Sequence, residues 1–127
     1  MNWFVLIAGI IAAMTCVGHF TVGRKEFLNP LLEAEMADVP KKVMHCVFHY
    51  VSVYLVASAL VLLAVGAGVK FKSGTTFLVD FIAINYAAFA VVQLVIAFRS
   101  KIPKPMTKLF QWVFFVLIAV FAWIGIV

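Results

Sequence analysis

Histidine and cysteine side chains in two apolar segments are the residues of this sequence best suited to chemistry. His45 and His49 lie one helical turn apart in the stretch KKVMHCVFHYVSVYL, with Cys46 between them. Cys16 and His19 lie near the C-terminal end of the preceding apolar segment. Imidazole and thiolate groups bind zinc, copper and haem iron. If the two segments pack as neighbouring helices, these five side chains form one polar cluster, which we expect to bind a metal, haem or another small ligand.

The identity of such a cofactor stays open between haem and a transition metal. A haem bound by two histidines needs axial ligands on opposite faces, which His45 and His49 on one helix cannot both supply, whereas His19 with either of them could. No spacing in the chain matches a zinc motif or a c-type haem motif. A simpler alternative is that the histidines hydrogen-bond to backbone carbonyls at helix ends and that the cysteines are small buried side chains.

A second set of polar residues favours a small oligomeric transporter or channel. Asp80, Asn85 and Gln93 lie in the third apolar segment, and Gln111 lies at the start of the fourth. Ionisable groups inside a membrane often mark ion or proton pathways, and histidine titrates near neutral pH. At 100° per residue, Asp80 and Asn85 are about 140° apart around the helix, which counts against a simple pore through one monomer.

Sequence patterns of common enzyme active sites are missing. The chain has no GxSxG turn, no P-loop, no HExxH motif and no paired carboxylates in an apolar segment. Cys46 beside His45 or His49 could act as a nucleophile with its base, but no acid at that depth would orient the base. We therefore expect a protein that is not an enzyme, and an accessory subunit of a larger membrane complex is a further alternative.

Composition assigns the chain to the lipid bilayer. Of its 127 residues, 66% are hydrophobic and only 12% are charged. Soluble domains are about 45–50% apolar and about 25% charged, and a domain of this size could not bury so much apolar surface. The net charge is +5, but no basic stripe interleaved with aromatic residues indicates nucleic-acid binding.

Four apolar segments are long enough to cross a membrane, which requires about 20 residues. We predict an all-α integral membrane protein, a single domain formed by an antiparallel bundle of four transmembrane helices. Small residues such as Gly9, Ala13, Ala83 and Ala87 favour close helix packing and are compatible with a homo-oligomer. The predicted spans are residues 3–22, 44–69, 75–98 and 109–127.

The connections between these segments predict their orientation. The first and third carry eight basic residues, whereas the second carries only Lys70 and Lys72. Because cytoplasmic loops are enriched in lysine and arginine, we expect loops 1 and 3 in the cytoplasm and both termini outside, in a bacterial inner membrane. The eight are Arg24, Lys25, Lys41, Lys42, Arg99, Lys101, Lys104 and Lys108.

The first connection is also the only long one, and it has the pattern of a short amphipathic helix at the membrane surface. Asn29 is a suitable N-cap, Pro30 suits the first helical position, and Val39-Pro40 is expected to end the helix. We therefore predict an interfacial helix over residues 30–38.

Overall fold

The structure is a computed structural model that describes residues 1–72 and 74–127, and every regular element in that part of the chain is a helix. The helices are α1 (Trp3–Gly18), a π-helical stretch (His19–Leu28), α2 (Asn29–Glu33), α3 (Asp38–Gly66), α4 (Thr75–Arg99), α5 (Pro105–Lys108) and α6 (Trp112–Ile124).

Three of these helices are long and apolar enough to cross a membrane. The first runs without interruption through α1, the π-helical stretch and α2, over the 31 residues Trp3–Glu33, and the others are α3 with 29 residues and α4 with 25. A span requires about 20 apolar residues. α6 is equally apolar in character but has only 13 residues. The all-helical architecture is consistent with an integral membrane protein, as the composition predicts.

Helix α1 lies at the centre of the packing. It contacts α3 on one side and α6 on the other, α6 in turn packs against α4, and α3 and α4 contact each other only slightly. The buried positions of α1 are Val5, Ala8, Gly9, Ala12 and Cys16, which recur at helical spacing on one broad face, and most of them are small. Small residues allow helix backbones to approach closely. In lipid the hydrophobic effect does not hold helices together, so this close packing is what drives their association.

Two glycines mark the closest approach of α1 and α3. A Cβ atom built on Gly9 would lie 2.7 Å from the backbone nitrogen of Leu63, and one built on Gly66 would lie 2.5 Å from the Cα atom of Leu6. Each glycine therefore faces the backbone of the opposite helix. Any side chain at either position would force the two helices apart.

Asn2 joins three helices at one end of the bundle. Its Oδ1 atom accepts a hydrogen bond from the backbone N–H of Val5 at 3.2 Å, which caps α1. Its backbone N–H donates to the Gly66 carbonyl at 2.8 Å, and its Nδ2 atom donates to the Gly125 carbonyl. We call these contacts the Asn2 clamp and this end of the bundle the clamp end. The opposite end, to which the first and third connections belong, is the basic end.

An aromatic layer fills the middle of the bundle between α3 and α4. The Tyr86 side chain on α4 is fully buried, and its hydroxyl lies 2.8 Å from the Ser58 hydroxyl on α3. Tyr86 also packs against Tyr54, Phe89 and Phe115, with ring centroids 5.8–6.1 Å apart. These aromatic side chains fill the space between α3 and α4, which contact each other only slightly.

The first connection differs from the expected interfacial helix. The first helix continues to Glu33, so Asn29 lies inside it with helical backbone angles and does not act as an N-cap. Pro30 is accommodated because the preceding turn is π-helical: the Asn29 N–H bonds to the Arg24 carbonyl, and the wider turn relieves the clash of a proline ring with the turn before it.

Pro40 does not end a helix as expected but lies in the first turn of α3. The N–H groups of a first turn have no intrahelical partner, so a proline there removes no hydrogen bond. α3 consequently begins six residues before the expected start at Met44. At the other end of the chain, α6 is shorter than the expected 109–127, because residues 109–111 form turns after α5.

Candidate functional site

The structure divides the five histidine and cysteine residues among different environments. His19 reaches from the π-helical stretch to Phe48 and Ser52 of α3, whereas His45 and His49, in the same turns of α3, contact each other. Cys16 is buried in the core and Cys46 is exposed, and both are free thiols. Among residues 1–72 and 74–127, no group of three or more histidine, cysteine, aspartate or glutamate side chains could hold a metal ion. The expected single cluster is therefore not formed in this part of the chain.

His19 is fixed by a hydrogen-bonded chain to α3. Its Nε2 atom lies 2.9 Å from the Ser52 hydroxyl and 3.3 Å from the Phe48 carbonyl, and its ring stacks on the Phe48 ring at 4.0 Å. The Ser52 hydroxyl donates to the Phe48 carbonyl at 3.0 Å, so its oxygen must accept from the imidazole. The neutral ring therefore carries its proton on Nε2, and Nδ1 is the hydrogen-bond acceptor.

The engagement of Nε2 also bears on the haem hypothesis. That hypothesis required His19 to face His45 or His49 across an open gap. The Nε2 atom of His19 instead contacts Ser52, and the two other histidines contact each other. Neither arrangement leaves opposed imidazoles for a haem iron.

The Nδ1 atom of His19 faces the glycine-lined side of the π-helical stretch. A Cβ atom built on Gly23 would lie 3.7 Å from Nδ1, and one built on Gly18 would meet no atom within 4 Å. Both glycines and His19 line an open space of about 300 Å³. The absence of side chains at these two glycines therefore leaves room next to an imidazole nitrogen.

This space, the His19 cavity, lies between the first helix, α3 and α6 toward the basic end. Its wall is almost entirely apolar, and the half-exposed rings of Phe27 and Phe110 lie at its rim. Thr15 contributes a hydroxyl, but this hydroxyl already donates to the Ile11 carbonyl at 2.8 Å. The lining residues are Met14, Thr15, Gly18, His19, Val22, Gly23, Phe27, Val51, Leu55, Phe110, Gln111, Phe114 and Phe115.

Gln93 and Gln111 form a second polar contact in a neighbouring cavity. The Nε2 atom of Gln93 donates to Oε1 of Gln111 at 2.6 Å and to the Leu109 carbonyl at 3.2 Å. Both glutamines line a space of about 340 Å³, which shares Phe27, Val51, Gln111 and Phe115 with the His19 cavity. Oε1 of Gln93 is buried and has no hydrogen-bond partner in the described part of the chain. The two spaces adjoin, and amide groups lie at their shared wall.

The other two residues of the expected ion pathway lie apart from this pair. Asp80 and Asn85 precede Gln93 on α4 by 13 and eight residues, or about 20 Å and 12 Å along the helix axis. Asn85 bonds to the Phe81 carbonyl of its own helix at 2.8 Å. The structure thus brings Gln93 to Gln111 but does not extend the set to Asp80 and Asn85. The transporter hypothesis stays a prediction.

His45 and His49 contact each other, and the His49 ring also packs edge-on against Phe48, the ring on which His19 stacks. The Nε2 atoms of His45 and His49 lie 3.2 Å apart, and their ring centroids lie 5.0 Å apart. Cys46 lies on a different side of α3, where it lines a shallow groove with Asp38, Lys42 and Tyr50. The i, i+4 spacing correctly indicated that the two histidines share a face, but the cysteine between them does not join them.

Sequence reasoning missed two contributors to the His19 environment. Phe48 supplies both the stacking ring and the carbonyl that orients Ser52. Gly23 supplies the open space beside Nδ1. A usable signal was the five-residue separation of Gly18 and Gly23 beside His19, which equals the separation of residues joined by the i→i+5 hydrogen bond of a π-helix.

Comparisons with known proteins give no further constraint. No protein-family model matches the chain, and no curated protein or solved structure matches it significantly.

Proposed function

We propose that this protein is a non-enzymatic integral membrane protein that binds one lipophilic small molecule in the His19 cavity. The observation that carries the proposal is that His19, whose acceptor nitrogen is Nδ1, lines an apolar space of about 300 Å³. Ligand sites typically measure about 300–1,000 Å³ and combine apolar walls with a few polar groups that orient the ligand. The cavity has this composition.

The chemistry of the cavity wall selects the class of ligand. An apolar body fits the phenylalanine, valine and leucine side chains, and a polar solute would lose its hydration there without replacement. Nδ1 of His19 accepts a hydrogen bond, so the ligand should carry one O–H or N–H donor. The amide of Gln111 is a second polar contact on the same wall. A lipophilic molecule with a single hydroxyl group satisfies these requirements.

The same proposal includes four membrane spans with the basic end in the cytoplasm. α6 is short, yet Gly125 just after it meets the Asn2 clamp and Gln111 just before it meets Gln93, so it extends from the clamp end to the level of Gln93 on α4. The distribution of basic residues, eight at one end and two at the other, supports a cytoplasmic basic end and external termini. Residues 27–36, in which Phe27 and Met36 are exposed, would lie at the membrane surface.

A matched pair of ligands tests the proposal. The probes are 4-phenylphenol, which has one hydroxyl donor, and its methyl ether, which has none. Binding is measured by isothermal titration calorimetry on the full chain in detergent, with protein-free micelles as the blank. We expect saturable binding of one phenol per chain and at least about tenfold weaker binding of the ether, equivalent to about 1.4 kcal/mol.

The variant His19→Phe serves as the control for the hydrogen bond. This variant keeps a ring in the cavity wall but removes the acceptor nitrogen. It should therefore bind the phenol no more tightly than it binds the methyl ether. Equal binding of the phenol to the wild type and to His19→Phe would contradict the role of Nδ1. Absence of saturable binding by both probes would contradict the assigned ligand class.

A further inference from the structure

The pair of His45 and His49 has the geometry of a metal chelate. The two residues follow each other at i, i+4 on α3, and their Nε2 atoms lie within hydrogen-bond distance of each other, at 3.2 Å. His49 is exposed and His45 is half-buried, so a solute can reach both rings. The His19 cavity does not include either residue among its lining side chains.

We propose that His45 and His49 together bind one divalent transition-metal ion through their Nε2 atoms. Imidazole nitrogens bind zinc at about 2.0–2.1 Å. Two such bonds to nitrogens 3.2 Å apart enclose an angle of about 100° at the metal, which lies between the octahedral and the tetrahedral angles. A metal ion can therefore bind both nitrogens at ordinary bond lengths once the two rings turn out of their mutual hydrogen bond.

The position of the pair along α3 leaves it accessible to water. His45 precedes Gly66, at the clamp end, by 21 residues, which corresponds to about 32 Å along the helix axis. The hydrocarbon core of a membrane is about 30 Å thick. The pair thus lies near the boundary of the hydrocarbon at the basic end, where water can supply the remaining ligands.

The donor set selects the class of metal ion. Neutral imidazole favours Zn²⁺, Ni²⁺ and Cu²⁺ over Mg²⁺ or Ca²⁺, which prefer oxygen ligands. Each ring then keeps its single proton on Nδ1, so binding requires a tautomeric change but no net loss of a proton. Lys41 lies one turn before His45 and its charge opposes a bound cation, so Lys41→Gln should strengthen binding.

Titration of the full-length, chelator-treated protein with Zn²⁺ tests this site by calorimetry. We expect one Zn²⁺ per chain. Either His45→Ala or His49→Ala should weaken binding on the order of 100-fold, because the second imidazole acts at a high effective concentration. The combination of His49→Ala with Tyr50→His keeps three histidines in the chain but places two of them five residues apart. This double variant should bind Zn²⁺ as weakly as His49→Ala alone does.

Two control variants separate the pair from other metal-binding groups. Cys46→Ser removes the exposed thiol, and His19→Phe removes the imidazole of the cavity. Both should retain the wild-type affinity for Zn²⁺. The proposal would be overturned if either control lost binding as the histidine variants do, or if Zn²⁺ bound the His45→Ala and wild-type proteins equally.

Discussion

The Nε2 atom of His19 lies 2.9 Å from the hydroxyl oxygen of Ser52, and this contact links the first helix to α3 at the basic end of the bundle. Because Ser52 donates its own proton to the Phe48 carbonyl, the contact also assigns the imidazole proton to Nε2. The acceptor nitrogen, Nδ1, then belongs to a ring that lines the His19 cavity. One serine on α3 thus determines which nitrogen of the histidine is left to accept a hydrogen bond.

The substitution Ser52→Ala tests this control of the imidazole. It removes the acceptor at 2.9 Å and leaves only the Phe48 carbonyl at 3.3 Å. We expect the imidazole ¹⁵N resonances of His19 to change from the Nε2–H form to a mixture of tautomers, and the affinity for 4-phenylphenol to fall severalfold. The affinity for the methyl ether should stay the same. An unchanged Nε2–H signature in Ser52→Ala would contradict the assignment.

The close contact of α1 and α3 predicts opposite effects of alanine at two glycines of the first helix. Gly9→Ala should lower the free energy of unfolding by about 1–3 kcal/mol, because the new Cβ atom would meet the backbone of Leu62 and Leu63. Gly18→Ala should leave it unchanged or raise it by up to about 1 kcal/mol, because nothing lies within 4 Å of that Cβ atom. Thermal unfolding in detergent distinguishes the two. Equal losses of stability would show that the close approach at Gly9 is not formed.

Two tyrosines of the aromatic layer provide another matched comparison. Tyr86→Phe removes a hydroxyl that is hydrogen-bonded to Ser58 at 2.8 Å and should destabilise the bundle by about 1 kcal/mol. Tyr54→Phe removes a buried hydroxyl that has no partner in the described residues, and it should leave stability unchanged or increase it. The check is the unfolding free energy of both variants in one detergent. A greater loss for Tyr54→Phe would reverse the expected order and contradict the assigned hydrogen bond.

The Asn2 clamp predicts a local effect at the clamp end. Asn2→Ala removes the cap of α1 and the bond to the Gly125 carbonyl, with an expected cost of about 1–2 kcal/mol. Asn2→Asp retains the Oδ1 acceptor for Val5 but lacks the amide donor to Gly125. Hydrogen exchange should therefore accelerate at the Val5 amide in Asn2→Ala only, whereas the end of α6 should loosen in both variants. Equal protection of the Val5 amide from hydrogen exchange in the two variants would contradict the capping hydrogen bond from Val5 to Asn2.

Much of this fold follows from hydropathy and charge along the sequence. Long apolar segments predicted the existence of α3 and α4, since a span needs a minimum length of apolar residues whatever its neighbours are, but only the bounds of α4 were predicted closely. The continuation of the first helix through Asn29-Pro30 was not predictable in the same way. It depends on π-helical hydrogen bonds in the preceding turn, which offset the usual helix-breaking effect of proline.

The candidate site was only partly predictable, because helical periodicity places residues on faces but does not place helices against each other. The spacing of His45 and His49 correctly indicated one shared face. The hydrogen bond between His19 and Ser52 depends on how the first helix is rotated about its axis. The close contacts at Gly9 and Gly66 help to fix that rotation. A single sequence does not specify that rotation, so one expected cluster became two separate arrangements.

The most direct test of the central claim is to fill the His19 cavity without disturbing the helices. Gly18→Leu adds a side chain where a Cβ atom meets nothing within 4 Å, and Ala88→Leu adds the same side chain at an exposed position on α4. We predict that 4-phenylphenol binds Gly18→Leu at least about tenfold more weakly than the wild type, while Ala88→Leu and the wild type bind it equally. Wild-type affinity in a folded Gly18→Leu protein would contradict binding in this cavity.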